Sequence, residues 1–278
     1  MRTESLPTIG IIGAGRLGTS LAAAAGAAGY EVAAVSNSRA QQSLRQVTEA
    51  AQLVFLAVPD GSIAEIAGSL PWRAGQYAVH CSGALGRETL LAAEAAGAIT
   101  GTFHPLQTFP SRTPEPRRFR GIAIGIEAPV PLGPVLETVA TDLGARPFRM
   151  EGVDRALYHA SAVVASNLLV ALASAATRLW AMAGLPEDTG RTSLAPLITA
   201  AATNIASMEL GDALTGPIAR GDIETVARHL AALESAPELR ELYRRLSLEL
   251  LRLPLSLPSP RTDALQNLLK SPHKETAE

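Results

Sequence analysis

The chain has 278 residues, enough for two domains and a sizeable core. With 47% hydrophobic and 18% charged residues and a formal net charge of -2, it is no disordered chain and carries no charge signature of nucleic-acid or anionic-membrane binding. The one cysteine, Cys81, excludes an internal disulfide and fits a reducing cytoplasm, and residues 1–7 read as no signal peptide.

The first half alternates short β-type runs with helical stretches. Strands are expected at residues 8–12, 31–35, 53–57, 76–81, 99–103, 121–126 and 145–149, with helical segments such as 17–28, 41–50 and 136–143 between them. This predicts an α/β fold: a doubly wound, mostly parallel Rossmann sheet over residues 1–150. From about Glu151 the β-type runs stop and Ala/Leu-rich helical patterns take over, at 155–183, 193–210, 223–235 and 237–251. Pro254, Pro258 and Pro260 break the pattern before a short helix at 262–269. The reading is an all-helical substrate and dimerisation domain over 151–270, followed by a disordered tail at 271–278.

Residues 156–177 contain no Asp, Glu, Lys or Arg, a run long enough to span a bilayer. His159, Ser166 and Asn167 within it are costly in lipid, so the expectation is a helix buried in a helical domain or dimer, with no membrane partner. The only lysines are Lys270 and Lys274, so no lysine upstream of residue 270 is available to a folded site.

The first strand leads into Gly13-Ala14-Gly15-Arg16-Leu17-Gly18, which opens a helix. Such a turn uses Gly13 for its tightness, Gly15 so that a pyrophosphate approaches the backbone, and Gly18 for close helix–strand packing. The helix N-terminus, at Arg16 and Leu17, faces the phosphates. The second strand selects the dinucleotide. It ends Ser36-Asn37-Ser38-Arg39, with no acid for a ribose hydroxyl and with a guanidinium suited to a 2′-phosphate. NADP is therefore expected ahead of NAD, with Ser38 and Arg39 beside the extra phosphate and Arg16 near the diphosphate.

Two polar clusters close later strands, His80-Cys81-Ser82-Gly83 and His104-Pro105-Leu106-Gln107-Thr108, where open α/β sheets bind ligands. Nicotinamide chemistry needs a group that gives or takes a proton, and His104, expected in a loop after its strand, is the candidate. Ser82 and Gln107 are placed to orient nicotinamide or substrate. His80 reads as a strand-end histidine satisfied by backbone, and Cys81 as a small buried residue. In the helical half, His159, Val163, Ser166, Asn167 and Val170 recur on one helix face, either lining a cavity or bonding a neighbouring helix. Leu214-Thr215-Gly216-Pro217 breaks the pattern. Arg220 after it suits a carboxylate or phosphate, whereas Asp222 reads as a helix cap. No metal is expected.

Taken together, the glycine turn, His80-Cys81-Ser82-Gly83, His104-Pro105-Leu106-Gln107-Thr108-Phe109, Tyr158-His159-Ala160 and the stretch from Leu214 to Asp222 resemble a family of Rossmann-like proteins with a C-terminal helical domain of unknown function. The resemblance covers nearly the whole chain and implies a fold similar to the 6-phosphogluconate-dehydrogenase-like superfamily. The His104-Pro105 pair is similar to the His-Pro loop of prephenate dehydrogenases, whose histidine contacts the substrate hydroxyl and which place a serine near the nicotinamide, where Ser82 falls. The part after Asp154 is more similar to pyrroline-5-carboxylate reductase, whose dimer partners complete the site. Ketopantoate reductases and β-hydroxyacid dehydrogenases rely on a lysine in the first helix of the helical domain. That lysine is missing here, which leaves His104 or His159 as the acid.

These readings converge on NADPH-dependent reduction of a C=O or C=N bond in a small anionic metabolite of the 2-oxo-acid or imino-acid type. His104 exchanges the proton, with His159 as the other candidate, while Ser82 and Asn167 orient the reactants. Gln107, Ser166, Thr215 and Arg220 bind substrate, and two chains pair through the helical domain. The rival readings are a non-catalytic NADP-binding sensor or partner-binding protein, and an oxidoreductase linked to the deazaflavin F420.

Overall fold

The computed structural model describes residues 6–36 and 40–271. All seven expected strands are present: β1 Ile9–Ile12, β2 Val32–Ser36, β3 Leu53–Leu56, β4 Tyr77–His80, β5 Ile99–Pro105, β6 Ala123–Glu127 and β7 Arg146–Arg149. They form one sheet in the order β2-β1-β3-β4-β5-β6-β7, parallel throughout except for the antiparallel β5/β6 pair. The connecting helices are α1 Arg16–Ala27, α2 Gln41–Ala50, α3 Ile63–Gly68, α4 Leu91–Ala95 and α5 Leu132–Asp142.

The central strands are apolar without alternation because both faces of the sheet are covered. In β3, Leu53 and Phe55 enter one core with Ile11, Leu21, Phe103 and Leu136. Val54 and Leu56 enter the other, with Leu44, Val47, Ile63 and Leu90. Phe55 is fully buried and meets the ring of Phe103 edge-on at 5.2 Å, and burial of such a side chain stabilises by about 2–3 kcal/mol.

Strand β5 runs two residues past its expected end, which corrects the placement of His104 in a loop. The cause is β6, which lies antiparallel and pairs Gly125 with His104 and Ile124 with Pro105. The Leu106 N–H then donates to the Ala123 carbonyl at 2.9 Å, closing the ladder beyond the proline. His104 is thereby held by sheet geometry.

After β7 the chain is helical: α6 Arg155–Ala165, α7 Asn167–Met182, α8 Glu187–Ser207, α9 Leu210–Ala213, α10 Pro217–Arg220, α11 Ile223–Ala232, α12 Pro237–Leu250 and α13 Ser259–Lys270. The chain divides into two compact units, Met1–Asn167 and Leu168–Glu278, so α6 belongs with the sheet. Asp154 caps α6 by accepting from the Leu157 N–H at 3.0 Å. The second unit packs around Ile218, Val226, Leu230, Leu251, Leu265 and Leu269. Asp222 caps α11, accepting from the Thr225 N–H, the role its position suggested.

The expectation of one helix over 155–183, buried in a helical domain or dimer, is not met within the single chain. The helix is interrupted at Ser166, and neither α6 nor α7 contains a buried residue. The run Arg155–Met182 is long and apolar enough to cross a membrane by length and composition, and its most apolar stretch is wholly unburied. The physical reason is that α10–α13 and their connections supply the core of the second unit, to which α7 and α8 add nothing. Of the tail expected at 271–278, residues 272–278 lie outside the described residues.

Candidate functional site

At the end of β1 the backbone turns through Gly13, whose φ of +103° is open to glycine and strained for other residues. A Cβ there would also stand 2.4 Å from the Ala57 carbonyl oxygen, and one on Gly18 would stand 1.9 Å from the Gly13 carbonyl oxygen. Both glycines are required by close approach. Gly15 differs: a Cβ on it would meet nothing within 4 Å, so the space above it is open. The turn is held from below by Gly13 and Ala14, whose N–H groups donate to the Ser36 carbonyl at 3.0 and 3.1 Å.

Gly15 is the N-cap of α1 and has no side-chain cap, and the first turn of α1 holds no acid. The N–H groups of Arg16, Leu17 and Gly18 lack intrahelical partners, as in any first turn, and with the helix dipole they favour an anion. Arg16 is exposed there, Leu17 half-buried and Gly18 buried. β1 is also where the strand order reverses, with β2 on one side and β3 on the other, the point at which such sheets bind ligands. Donors, open space and missing acid fit a diphosphate. The register Ile12↔Ser36 brings the end of β2 beside the turn and leaves Glu31 at the far end. Ser38 and Arg39 lie outside the described residues.

The carboxyl ends of β4 and β5 carry the second half of the site. His80 is fully buried. Its Nδ1 accepts from the Ser82 N–H at 3.2 Å, so Nε2 carries the proton and donates to the Gly86 carbonyl at 3.0 Å. Burial holds its pKa below the usual histidine value. The imidazole is thus a neutral backbone clip, as its strand-end position suggested. Ser82 is buried, and its Oγ accepts from the Ala84 and Leu85 N–H groups at 3.2 Å each, leaving its own proton to donate. Burial pushes the Cys81 thiol up to about 12, which keeps it inert.

The fourth residue of that cluster, Gly83, has a role that sequence reasoning missed. A Cβ on Gly83 would meet the His104 ring at 2.6–2.9 Å, so the missing side chain makes the seat for the imidazole. On the other side the ring bonds through Nδ1 to the Tyr158 hydroxyl at 2.7 Å, with the two rings edge to face. Burial, reinforced by the positive fields of His159 and Arg155, lowers the His104 pKa from 6.5 to about 4, so the ring is neutral at pH 7. Arg155 is nearly buried, ion-paired with Glu127, and donates to Thr102 Oγ1 at 3.1 Å. It fastens α6 to β5 and β6 and stands one turn before Tyr158.

A cavity of about 470 Å³ opens beside His104, within the ordinary range for small-ligand sites. It is lined by His104, Gln107, Thr108, His159, Ser166 and Asn167 among others. Of the stripe read on this stretch, His159, Val163, Ser166 and Asn167 line the cavity and Val170 does not. Ser166 Oγ donates to the Ala162 carbonyl at 2.7 Å and lies 3.0 Å from Asn167 Oδ1, which orients the amide at the rim. Gln107 turns its Oε1 to the Thr108 N–H at 2.8 Å. Thr215 and Arg220 are exposed in the second unit, before and at the end of α10. Tyr158, Arg155 and Gly83 went unassigned because their parts depend on partners more than 20 residues away; the one local signal is that Arg155 and Tyr158 form the stripe next to that of His159 and Ser166.

Since the folded pKa of His104 is depressed, its contribution to stability is complete above pH 6.5 and is lost as pH falls toward 4, and His80 acts in the same direction. Denaturant unfolding across that window is expected to show falling stability, with a shallower fall in a His104→Gln variant. An equal slope in both proteins would contradict the assignment.

Comparison with known proteins matches the chain in two parts. Residues 2–105 match the model of a Rossmann-like domain, and residues 122–250 match a domain of unknown function, DUF2520. Among curated proteins there is no significant match. Among solved structures, a Bacteroides fragilis protein provisionally named an NADP oxidoreductase is 27% identical with a TM-score of 0.68, covering 88% of this chain and 97% of that one. Protein TM1727 of Thermotoga maritima is 25% identical with a TM-score of 0.65, covering 87% and 98%. Plasmodium falciparum pyrroline carboxylate reductase with NADP bound, 11% identical with a TM-score of 0.60 over 94% and 98%, shares the fold.

Proposed function

We propose that the protein is an NADPH-dependent oxidoreductase that reduces a C=O or C=N bond in a small anionic metabolite of the 2-oxo-acid or imino-acid type. One observation carries this reading. The open glycine turn after β1 and the His104 cavity lie at the carboxyl edge of the same parallel strands, within one compact unit. The likeness to a protein named as an NADP oxidoreductase, over nearly the full length of both chains, supports it.

In this reading the Gly13–Gly18 turn holds the diphosphate, with Arg16 beside it, and Ser38 and Arg39 receive the 2′-phosphate. A bound NADPH supplies hydride. The protein's own tasks are then to position the acceptor bond and deliver one proton. His104 faces those tasks as a neutral imidazole, so it acts through an N–H hydrogen bond; His159 lines the same cavity as a second candidate. Ser82 and Asn167 orient the reactants, and Gln107 and Ser166 supply polar contacts. A reducing cytoplasm suits the free thiol of Cys81.

Assays of NADPH oxidation on 2-oxo acids, with and without amines, and on cyclic imino acids test the proposal. Turnover on at least one class is expected, with His104→Ala lowering kcat by about 10²-fold or more, the usual share of a positioned proton donor. Full activity in His104→Ala would overturn the role of the histidine. An enzyme that binds NADPH yet turns over none of these classes would favour the sensor reading.

A second copy of the chain is proposed as the partner. Leu168, Val170 and Met182 on α7 and Leu197 and Ile205 on α8 are 49–71% exposed, and a two-fold pairing would cover apolar surface of both chains. Sedimentation of the purified protein should give a dimer, and Val170→Arg should shift it toward monomer. A wild-type monomer in dilute buffer, or protein recovered only with detergent, would contradict this.

A further inference from the structure

The geometry points to Tyr158 as the residue that sets the tautomer of His104 and refills its proton: the phenol donates to Nδ1, Nε2–H faces the ligand, and the Tyr158 proton follows when Nε2–H is given up. The inference rests on the proposed reduction for its purpose. Its structural half stands without it.

The first observation is the 2.7 Å separation between the Tyr158 hydroxyl and His104 Nδ1. Two neutral groups share this bond, and its direction follows from their chemistry. A phenol is a far stronger acid than a neutral imidazole N–H, and an imidazole lone pair is a better acceptor than a phenol oxygen, so O–H···N is the favoured arrangement. The remaining proton is then on Nε2, which makes no hydrogen bond among the described residues, in a ring that lines the cavity. The second observation is how firmly the pair is placed. The sheet ladder fixes the His104 backbone, the ring lies against Gly83 where a Cβ would clash with it, and Phe148 packs beside Tyr158 at 6.1 Å between ring centroids.

The third observation concerns charge. A carbonyl or imine that has taken up hydride becomes an alkoxide or an anionic nitrogen and needs one proton. If Nε2–H passes to it alone, an imidazolate remains, which a desolvated pocket disfavours. If the Tyr158 proton moves to Nδ1 in the same event, His104 stays neutral with its proton on the other nitrogen, and the negative charge ends on the phenolate. The electron pair arrives with the hydride, so ring and phenol shift protons only; water then gives a proton to Nε2 and leaves as hydroxide, and the Nδ1 proton returns to the phenolate. Arg155, three residues before Tyr158 on α6, provides the positive field that favours the phenolate against the burial that opposes it. Tyr158 acts through His104 and is a positioning and relay residue.

The test has an arm that needs neither cofactor nor substrate. Nitrogen-15 NMR of the imidazole near pH 7.5 should show His104 as the Nε2–H tautomer, with Nδ1 shifted as a hydrogen-bonded acceptor. In Tyr158→Phe the Nδ1 resonance should move toward that of an unbonded ring nitrogen, while the melting temperature stays near wild type. An Nδ1–H tautomer in the wild type, or the same Nδ1 resonance in both proteins, would overturn the proposal even if reduction is confirmed. With a substrate from the reductase panel, Tyr158→Phe should lower kcat about 10²-fold with little change in KM, and His104→Gln/Tyr158→Phe should lose no more than His104→Gln alone. Unchanged kcat in Tyr158→Phe would remove the relay. Absence of any turnover would count against the proposed function and leave the NMR result to decide the tautomer.

Discussion

Among the glycines, the closest approach is that of α1 to the end of β1, where the Gly13 carbonyl leaves no room for even a methyl group on Gly18. That contact decides where the helix starts. It places the first-turn N–H groups over the point where the sheet changes direction, and with Gly15 bare it leaves a space bounded by donors. A side chain at Gly13 or Gly18 would push the helix off the strand, while one at Gly15 would fill the cradle without disturbing the fold. The same three glycines therefore separate into two that build the site and one that vacates it.

The His104 side of the site depends on a different economy, in which the fold supplies constraints and removes water. The antiparallel strand β6 extends β5 until the histidine is part of the sheet, and the ring is seated on Gly83 and bonded to Tyr158. Burial keeps it uncharged at neutral pH. A charged imidazolium would be the simpler proton donor, yet the Arg155–Glu127 anchor that brings α6 onto the sheet also brings a positive charge into the neighbourhood. The arrangement favours passing protons along a neutral chain over storing one on the ring.

Much of this was legible from the residues themselves. All seven strands fall where β-type runs stand, because a sheet covered on both faces demands unbroken apolar segments such as Leu53-Val54-Phe55-Leu56. The glycine turn, the backbone-bound His80, the Asp222 cap and the cavity stripe on α6 each follow from local spacing. What escaped notice depends on long-range pairing. His104 was expected in a loop because nothing local announces an antiparallel partner some 20 residues downstream, and Tyr158 and Arg155 acquire their parts from residues on β5 and β6. The helix 155–183 was expected to be buried in a helical domain or dimer because its charge-free run carries His159, Ser166 and Asn167, but such a composition tells that a surface wants covering and is silent on whether the same chain covers it.

The proposed chemistry requires the diphosphate cradle at Gly13–Gly18. Isothermal titration of NADPH and NADH into the purified protein, alongside a Gly15→Val variant, examines it directly. NADPH should bind the wild type at least tenfold more tightly than NADH, a difference of about 1.4 kcal/mol, and Gly15→Val should lose binding while unfolding at the wild-type temperature. No heat of binding for either dinucleotide, or undiminished binding by Gly15→Val, would contradict it.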